Sequence, residues 1–377
     1  MKFDYSEEQQ LLADTVKRFI ANDYGFEARK KIVASPQGAS DAAWTTFADI
    51  GLLGLPFSPD HGGFGGGAVD MMSVMEAMGE GLVVEPYLST VGVGGQFVAR
   101  GGSAAQKREI IPAVVEGRLR MAFAQTEAGA RYNLAHVATR AKKAGNGYTI
   151  DGEKRVVLHG PLADRLVVSA RTSGGDTDPA GISLFLVEAK APGVRMNAYR
   201  TLDEMRAADI AFKGVAVSAD ALIGEEGRGL ELIEEVTDYA TALLCSEAVG
   251  ALRYANEATL EYLKARKQFG VPIGSFQALQ HRMVDMVISY EQARSMASLA
   301  CARVDSEKDP GERKRIVSAA KIKIADACRH VSQEAIQLHG GMGMSDELKV
   351  SHTFRRLTMI AQQNGDADYH LERFARA

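Results

Sequence analysis

Cysteine is scarce in this chain, which holds only Cys245, Cys301 and Cys328. They lie far apart in helical sequence with no metal-ligand spacing, so they read as buried thiols in a reducing compartment and no metal site is expected. Long apolar runs are also missing: none approaches the roughly 20 residues that span a bilayer. Met1 leads directly into a capped helix rather than a signal peptide, so a cytoplasmic protein is the expectation. Excess charge is absent as well, and a net charge of −4 gives no reason to expect nucleic acid or an anionic membrane as a partner. No repeat or low-complexity segment is evident. What remains is ordinary globular composition, 46% apolar and 24% charged, in 377 residues, too many for a single core.

Residues 1–119 read as a helical region. Ser6 with Gln9, and again Ser103 with Gln106, form capping boxes, and Leu12, Val16, Phe19 and Ile20 fall on one helical face. The methionine-rich helix around Met71, Met72, Met75 and Met78 reads as core. The glycine-rich segment from His61 to Gly67 lacks a Gly-Lys-Ser/Thr ending and follows no strand, so it reads as a turn rather than a phosphate loop. From 120 to 224 the period shortens. Runs at Met121–Gln125, Tyr148–Ile150, Leu166–Ala170 and Ile182–Val187 read as strands, separated by Asn146-Gly147 and Asp151-Gly152 turns. Residues 225–377 return to helix over Leu230–Ala265, Phe276–Val304 and Arg313–Leu338. Helix, sheet and helix in segregated order give an α+β fold rather than a doubly wound sheet.

The stretch from Tyr262 to Asp285 breaks the last region. Pro272, with Gly270 and Gly274, ends one long helix, and Ser275 is placed to cap the next, ahead of Leu279, Met283 and Met286. The turn presents Arg266, Lys267 and Gln268 beside Phe269, a set suited to an anionic group next to an aromatic plane. By itself it equally describes a solvated basic turn. Farther on, Gln337–Met344 (QLHGGMGM) closes a long helix with paired glycines, which permit a C-terminal cap or close backbone approach to a ligand.

The order ARKQFGVPIGSFQALQHRMVDM, then QLHGGMGM, with GLLGLPFSPDHGGFGGG near the start and AQTEAGARYN in the middle, resembles the acyl-CoA dehydrogenases over essentially the whole chain. Within that flavoprotein family the likeness is to the pimeloyl-CoA dehydrogenase small subunit and related heteromeric enzymes. The resemblance implies an N-terminal α-domain, a middle β-barrel-like domain and a C-terminal four-helix bundle, commonly as a dimer of dimers, with FAD as cofactor. It also implies a glutamate base, yet the two positions the family uses for it are Asn364 and Ala240 here, and neither side chain is basic. Asp366 and Asp368 read as solvated acids, Thr241 replaces a family arginine, and Asp238 is equally a solvated helix residue.

The family's flavin contacts divide in two. In the β-domain Thr126 and Glu127 match, but Tyr132 stands for a serine with Arg131 beside it, and Val156 and Leu158 stand for a tryptophan and a threonine. By contrast Arg266, Gln268, Phe269, Gln277, Gln337, Gly340 and Gly341 match the residues a subunit lends to FAD across the dimer interface. The expectation is therefore a chain with no catalytic residue of its own. It lends half of an FAD site to a homologous, glutamate-bearing partner in an α2β2 assembly, with the acyl-CoA mainly in the partner and electron-transfer flavoprotein as acceptor. Two alternatives remain: a competent homotetramer with an unrecognised base, and a DNA-associated flavoprotein, against which the near-balance of charge in the last 150 or so residues argues.

Overall fold

The computed structural model describes residues 6–377, so Met1 lies outside the described residues. Helices α1 (Glu7–Asp23), α2 (Phe26–Ala34), α3 (Asp41–Asp49), α4 (Ala68–Gly81), α5 (Gly95–Gly101) and α6 (Ala104–Val115) come first. Strands β1 (Met121–Ala124), β2 (Arg140–Ala144), β3 (Gly147–Leu158), β4 (Arg165–Arg171), β5 (Ile182–Glu188), β6 (Val194–Arg200), β7 (Arg206–Ser218) and β8 (Leu222–Ile223) follow. Then come α7 (Gly229–Ala265), a hairpin of β9 (Lys267–Gln268) and β10 (Val271–Pro272), and α8 (Gln277–Val304), α9 (Pro310–His339), α10 (Lys349–Gln362) and α11 (Ala367–Arg376). Both capping boxes form as the sequence predicts. No helix among the described residues is long and apolar enough to cross a membrane.

The chain divides into two compact units. One comprises Ile32–Gly66 and Val84–Ala240, the other, of the described residues, 6–31, Gly67–Val83 and Thr241–Ala377. The first is built on an eight-stranded sheet of order β6-β7-β3-β2-β4-β5-β8, with β1 pairing in parallel to β4. Ile150, Leu166, Phe185 and Phe212 are buried in its core, each contributing about 1.5–3 kcal/mol of apolar burial. Asp151-Gly152 is not a turn. It lies inside β3 as a bulge against β7, where a Cβ on Gly152 would meet Thr139 at 2.4 Å. The hairpin loop is instead Gly145-Asn146, since Ala144 pairs with Gly147. Strands β2, β6, β7 and β8 of this sheet lie outside the runs that the sequence marks as strands.

In the helical unit, α4 and α7 cross at backbone contact. A Cβ on Gly79 would sit 1.9 Å from the Glu247 carbonyl oxygen, and one on Gly250 would sit 1.8 Å from that of Glu76. Only glycine at both positions allows the crossing. The polar groups brought in are paired: Arg356 on α10 forks onto Glu247 at 2.6 and 2.8 Å, and Arg253 reaches Glu76 at 3.2 Å and Glu80 at 2.6 Å. The methionines of α4 are buried, as are all three cysteines, whose thiols burial pushes up to about 12. Gly79→Ala and Gly250→Ala should each destabilise the protein by about 1–3 kcal/mol or more through overpacking, measured as a lower urea midpoint. The double variant should cost less than the sum, because the two methyl groups force the same helices apart.

Candidate functional site

Helix α7 ends at Ala265, and the chain turns through the β9–β10 hairpin. The two-residue loop is Phe269 (φ 55) and Gly270 (φ 80), both left-handed, the geometry that matches strand twist. Phe269 is bulky for that region and 89% exposed, so about 1–2 kcal/mol of backbone strain is offset by no burial in this chain. Its ring meets that of Phe276 edge-on at 6.1 Å. Ser275 does not cap α8. A short 3-10 turn, Ile273–Ser275, intervenes; its hydroxyl donates back to the Pro272 carbonyl at 2.7 Å, and Phe276 takes the cap position without a side-chain bond.

Beside this hairpin lies a cleft of about 570 Å³, walled on its other side by the end of α9. Arg266, Gln268, Gln337, Gly340 and Gly341 all line it, so two segments some seventy residues apart meet in one site. Phe269 at the hairpin tip and Gln277 at the start of α8 do not line it. Arg266 is exposed and makes no ion pair within the described residues, so its guanidinium is available to an anion. Gly340 needs glycine for its backbone (φ 59, ψ −144), but Gly341 does not: its φ is not left-handed, and a Cβ there meets nothing within 4 Å. Nothing in this chain's packing demands glycine at 341, whereas a ligand at close range would.

Sequence reasoning passed over three wall residues. Arg282 is held by Glu334 in a two-point ion pair at 2.5 and 3.0 Å. Tyr262, one helical turn before Arg266, stacks on His339 with ring centroids 4.5 Å apart at 27°. The turn spacing back from Arg266 was the available signal for Tyr262; for His339 it was its place inside QLHGGMGM.

The loop after α10 carries Asn364 in the left-handed region (φ 59), which asparagine tolerates. Its amide donates to the Thr241 hydroxyl at 3.3 Å. The loop is pinned from below: fully buried Lys321 donates to the carbonyls of Ala361 and Gly365 at 3.1 and 2.7 Å, and His370 Nε2 meets the Asn364 carbonyl at 3.0 Å. Asp366 is not a solvated acid, because it caps α11 by accepting from the Tyr369 N–H; Asp368 is exposed. Asp238 is likewise not solvated, being 1% exposed.

In the β-unit, the Glu127 carboxylate is consumed internally. It accepts from the Ala138 and Thr139 amides at 2.6 and 3.1 Å and from buried Lys154 at 2.7 Å. Burial works against its charge, but Lys154 and the two amides outweigh it and hold the carboxyl below its ordinary range. Val156 sits at a register shift with φ 51, its N–H on Asp209, while Leu158 pairs with Ala207 in the sheet. Arg131 (φ 49) lies over the Tyr132 ring at 5.8 Å.

Family models for the acyl-CoA dehydrogenase N-terminal, middle and C-terminal domains match residues 6–118, 122–215 and 227–377. The chain belongs to the acyl-CoA dehydrogenase family. Cyclohex-1-ene-1-carbonyl-CoA dehydrogenase of Syntrophus aciditrophicus is 30% identical over 95% of this chain and 87% of its own length. The ChsE4-ChsE5 complex from Mycobacterium tuberculosis superposes with a TM-score of 0.90 at 26% identity, covering 100% of this chain and 98% of that one. PigA with FAD and proline gives 0.92 at 28% identity, with the same coverage.

FAD is the cofactor of acyl-CoA dehydrogenases, and the residues of this chain fit it unequally. The cleft offers a free arginine fork and an unobstructed glycine backbone, which suit a pyrophosphate. The β-unit positions offer an acid already neutralised by lysine, a leucine engaged in its own sheet and, at Tyr132, a bulky phenol where the family has the small serine hydroxyl.

The pinned loop also sets an acid limit. Burial, with Lys321 and Arg373 nearby, pushes His370 from 6.5 down to about 3. The folded state therefore keeps it neutral while the unfolded chain protonates near 6.5, so its contribution is complete above 6.5 and is lost as pH falls toward 3. At pH 5 that loss is about 2 kcal/mol. Urea unfolding at pH 7.5 and 5.0 should show His370→Gln losing about 2 kcal/mol less across this interval than wild type does.

Proposed function

We propose that this chain is the non-catalytic subunit of a heteromeric FAD-dependent acyl-CoA dehydrogenase, lending half of an FAD site to a partner that carries the glutamate. The observation that carries this reading is Asn364. It donates to the Thr241 hydroxyl at 3.3 Å, and at this position, to which the resemblance assigns the carboxylate for α-proton abstraction, its amide has no basic lone pair near neutrality. FAD, when bound, supplies the acceptor for the β-hydride; this chain's contribution is to hold the cofactor from the Arg266 cleft. Phe269, exposed at the hairpin tip, and Gln277, exposed at the start of α8, are proposed to reach the shared cofactor only in the assembly. The likeness to the ChsE4-ChsE5 complex supports a two-chain arrangement. We take the assembly to be α2β2, the acyl-CoA to lie mainly in the partner and electron-transfer flavoprotein to receive the electrons. A self-sufficient enzyme would need another base, and the nearby acids are a helix cap and an exposed residue. We further read the chain as three domains, 1–119, 120–224 and 225–377, in line with the spans of the three matching family models.

Expressed alone, the chain should be folded, nearly colourless and inactive; stoichiometric flavin with turnover of any acyl-CoA would refute the reading. Asn364→Glu should leave the isolated chain inactive, because a base without a held flavin has no hydride acceptor, and stopped-flow mixing with acyl-CoA should show no flavin bleaching. In the complex, Arg266→Ala should weaken FAD by roughly ten- to a hundredfold or more, the loss of a charge-assisted bond worth about 1.5–3 kcal/mol. Both subunits should stay folded and associated. Arg266→Lys should recover only part, keeping the charge without the fork. Flavin titration at fixed ionic strength reads both variants.

A further inference from the structure

We infer that Lys349 is a nucleophile that takes an acyl group from acyl-CoA thioesters, a covalent modification site that lines no part of the Arg266 cleft and does not depend on the half-site reading. Lys349 opens α10, and the setting there opposes its charge. The helix starts at Leu348 without a side-chain cap and has no acid in its first turn, so the positive end of its dipole meets an ammonium. Nζ lies 4.0 Å from the centroid of the Tyr254 ring on α7 and makes no ion pair or hydrogen bond among the described residues. Burial pushes the Tyr254 hydroxyl up to about 12, so the ring is a neutral platform. Two charges act on the amine. Glu80 of α4 favours the ammonium but is already held by Arg253 at 2.6 Å, and Arg29 of α2 opposes it.

Lys154, Lys321 and Lys349 are each held below the ordinary proton affinity of lysine, and their surroundings separate them. Lys154 and Lys321 are fully buried and bonded, one to Glu127 and the other to two carbonyls. Lys349 is half-buried, and burial with Arg29 pushes it from 10.5 down to about 8. About a quarter of it is free amine at pH 7.5, against about 0.1% for an ordinary lysine. The step is acyl transfer: the nitrogen attacks the thioester carbonyl carbon, the C–N bond forms and the C–S bond breaks. The leaving thiolate takes up the proton that the nitrogen releases, and no oxidant or reductant is needed. The amide formed is neutral, so acylation removes the charge that the helix end, Arg29 and burial all disfavour.

The wild-type chain is incubated with acetyl-CoA from pH 6.5 to 10.5, and the acetylation rate of each lysine is read by peptide mass spectrometry. At pH 7.5 Lys349 should react about tenfold faster than the median exposed lysine, its roughly two-hundredfold gain in free amine being partly offset by the weaker nucleophilicity of a less basic nitrogen. Its rate should level off above pH 8 while those of exposed lysines keep rising toward pH 10. In urea the advantage should vanish, because the folded setting is its source. If Lys349 reacts no faster than exposed lysines at pH 7.5, if its rate climbs through pH 9 without a bend, or if the unfolded chain keeps the advantage, the assignment is overturned.

Discussion

The helical unit depends on the place where α4 and α7 touch without side chains between them. Gly79 and Gly250 each face a carbonyl oxygen of the opposite helix, which fixes where the two axes cross and leaves no room for a Cβ at either. Helix α7 runs through 37 residues, about 55 Å, so fixing one point along it orients what lies far away. On one side of the crossing, Thr241 is presented to Asn364; on the other, the helix ends at the Arg266 hairpin. The ion pairs at the crossing follow from it rather than cause it. Arg356 and Arg253 neutralise Glu247 and Glu76, the two residues whose carbonyls the glycines approach, and leaving either acid buried without its arginine would cost about 3–5 kcal/mol.

The helices were legible because their signals are local. Capping boxes and apolar spacing each occupy a few residues, and Pro272 with its flanking glycines marks the hairpin by backbone chemistry alone. The strands were harder. In β6, Arg195, Asn197 and Ala198 are exposed and no residue is fully buried, so no alternation survives to be read. Asp151-Gly152 carries the composition of a hairpin turn, but that dipeptide serves a bulge equally well, and only the register of β3 on β7 decides between them. The misread cap at Ser275 has the same origin. A serine before a helix is a capping signal only when the chain enters directly, and here a 3-10 turn comes first.

What sequence could not supply about the site is partnership at long range. Lysine reads as surface, yet Lys321 and Lys154 are fully buried, one holding the Asn364 loop by two carbonyls and the other closing on Glu127. Five of the seven residues matched to the family meet in one cleft, but the stack of Tyr262 on His339 joins positions far apart in sequence whose separation carries no signal. Family motifs record which residue types recur. They do not record whether a carboxylate is open to a ligand or already satisfied.

That distinction separates the two halves of the flavin pattern in this chain. In a low-dielectric interior an ionised group without a partner is costly, so an acid with no ligand to meet must find an internal cation, and Glu127 has Lys154 and two backbone amides. The cleft beside the hairpin shows the opposite condition. Among the described residues Arg266 remains exposed with no ion pair, and Gly341 keeps an absence of side chain that its own packing does not require. Stability alone favours filling both, with an acid for the arginine and alanine for the glycine. An acid closed on its own lysine in one unit and two unmet contacts in one cleft of the other are what the half-site proposed above would require.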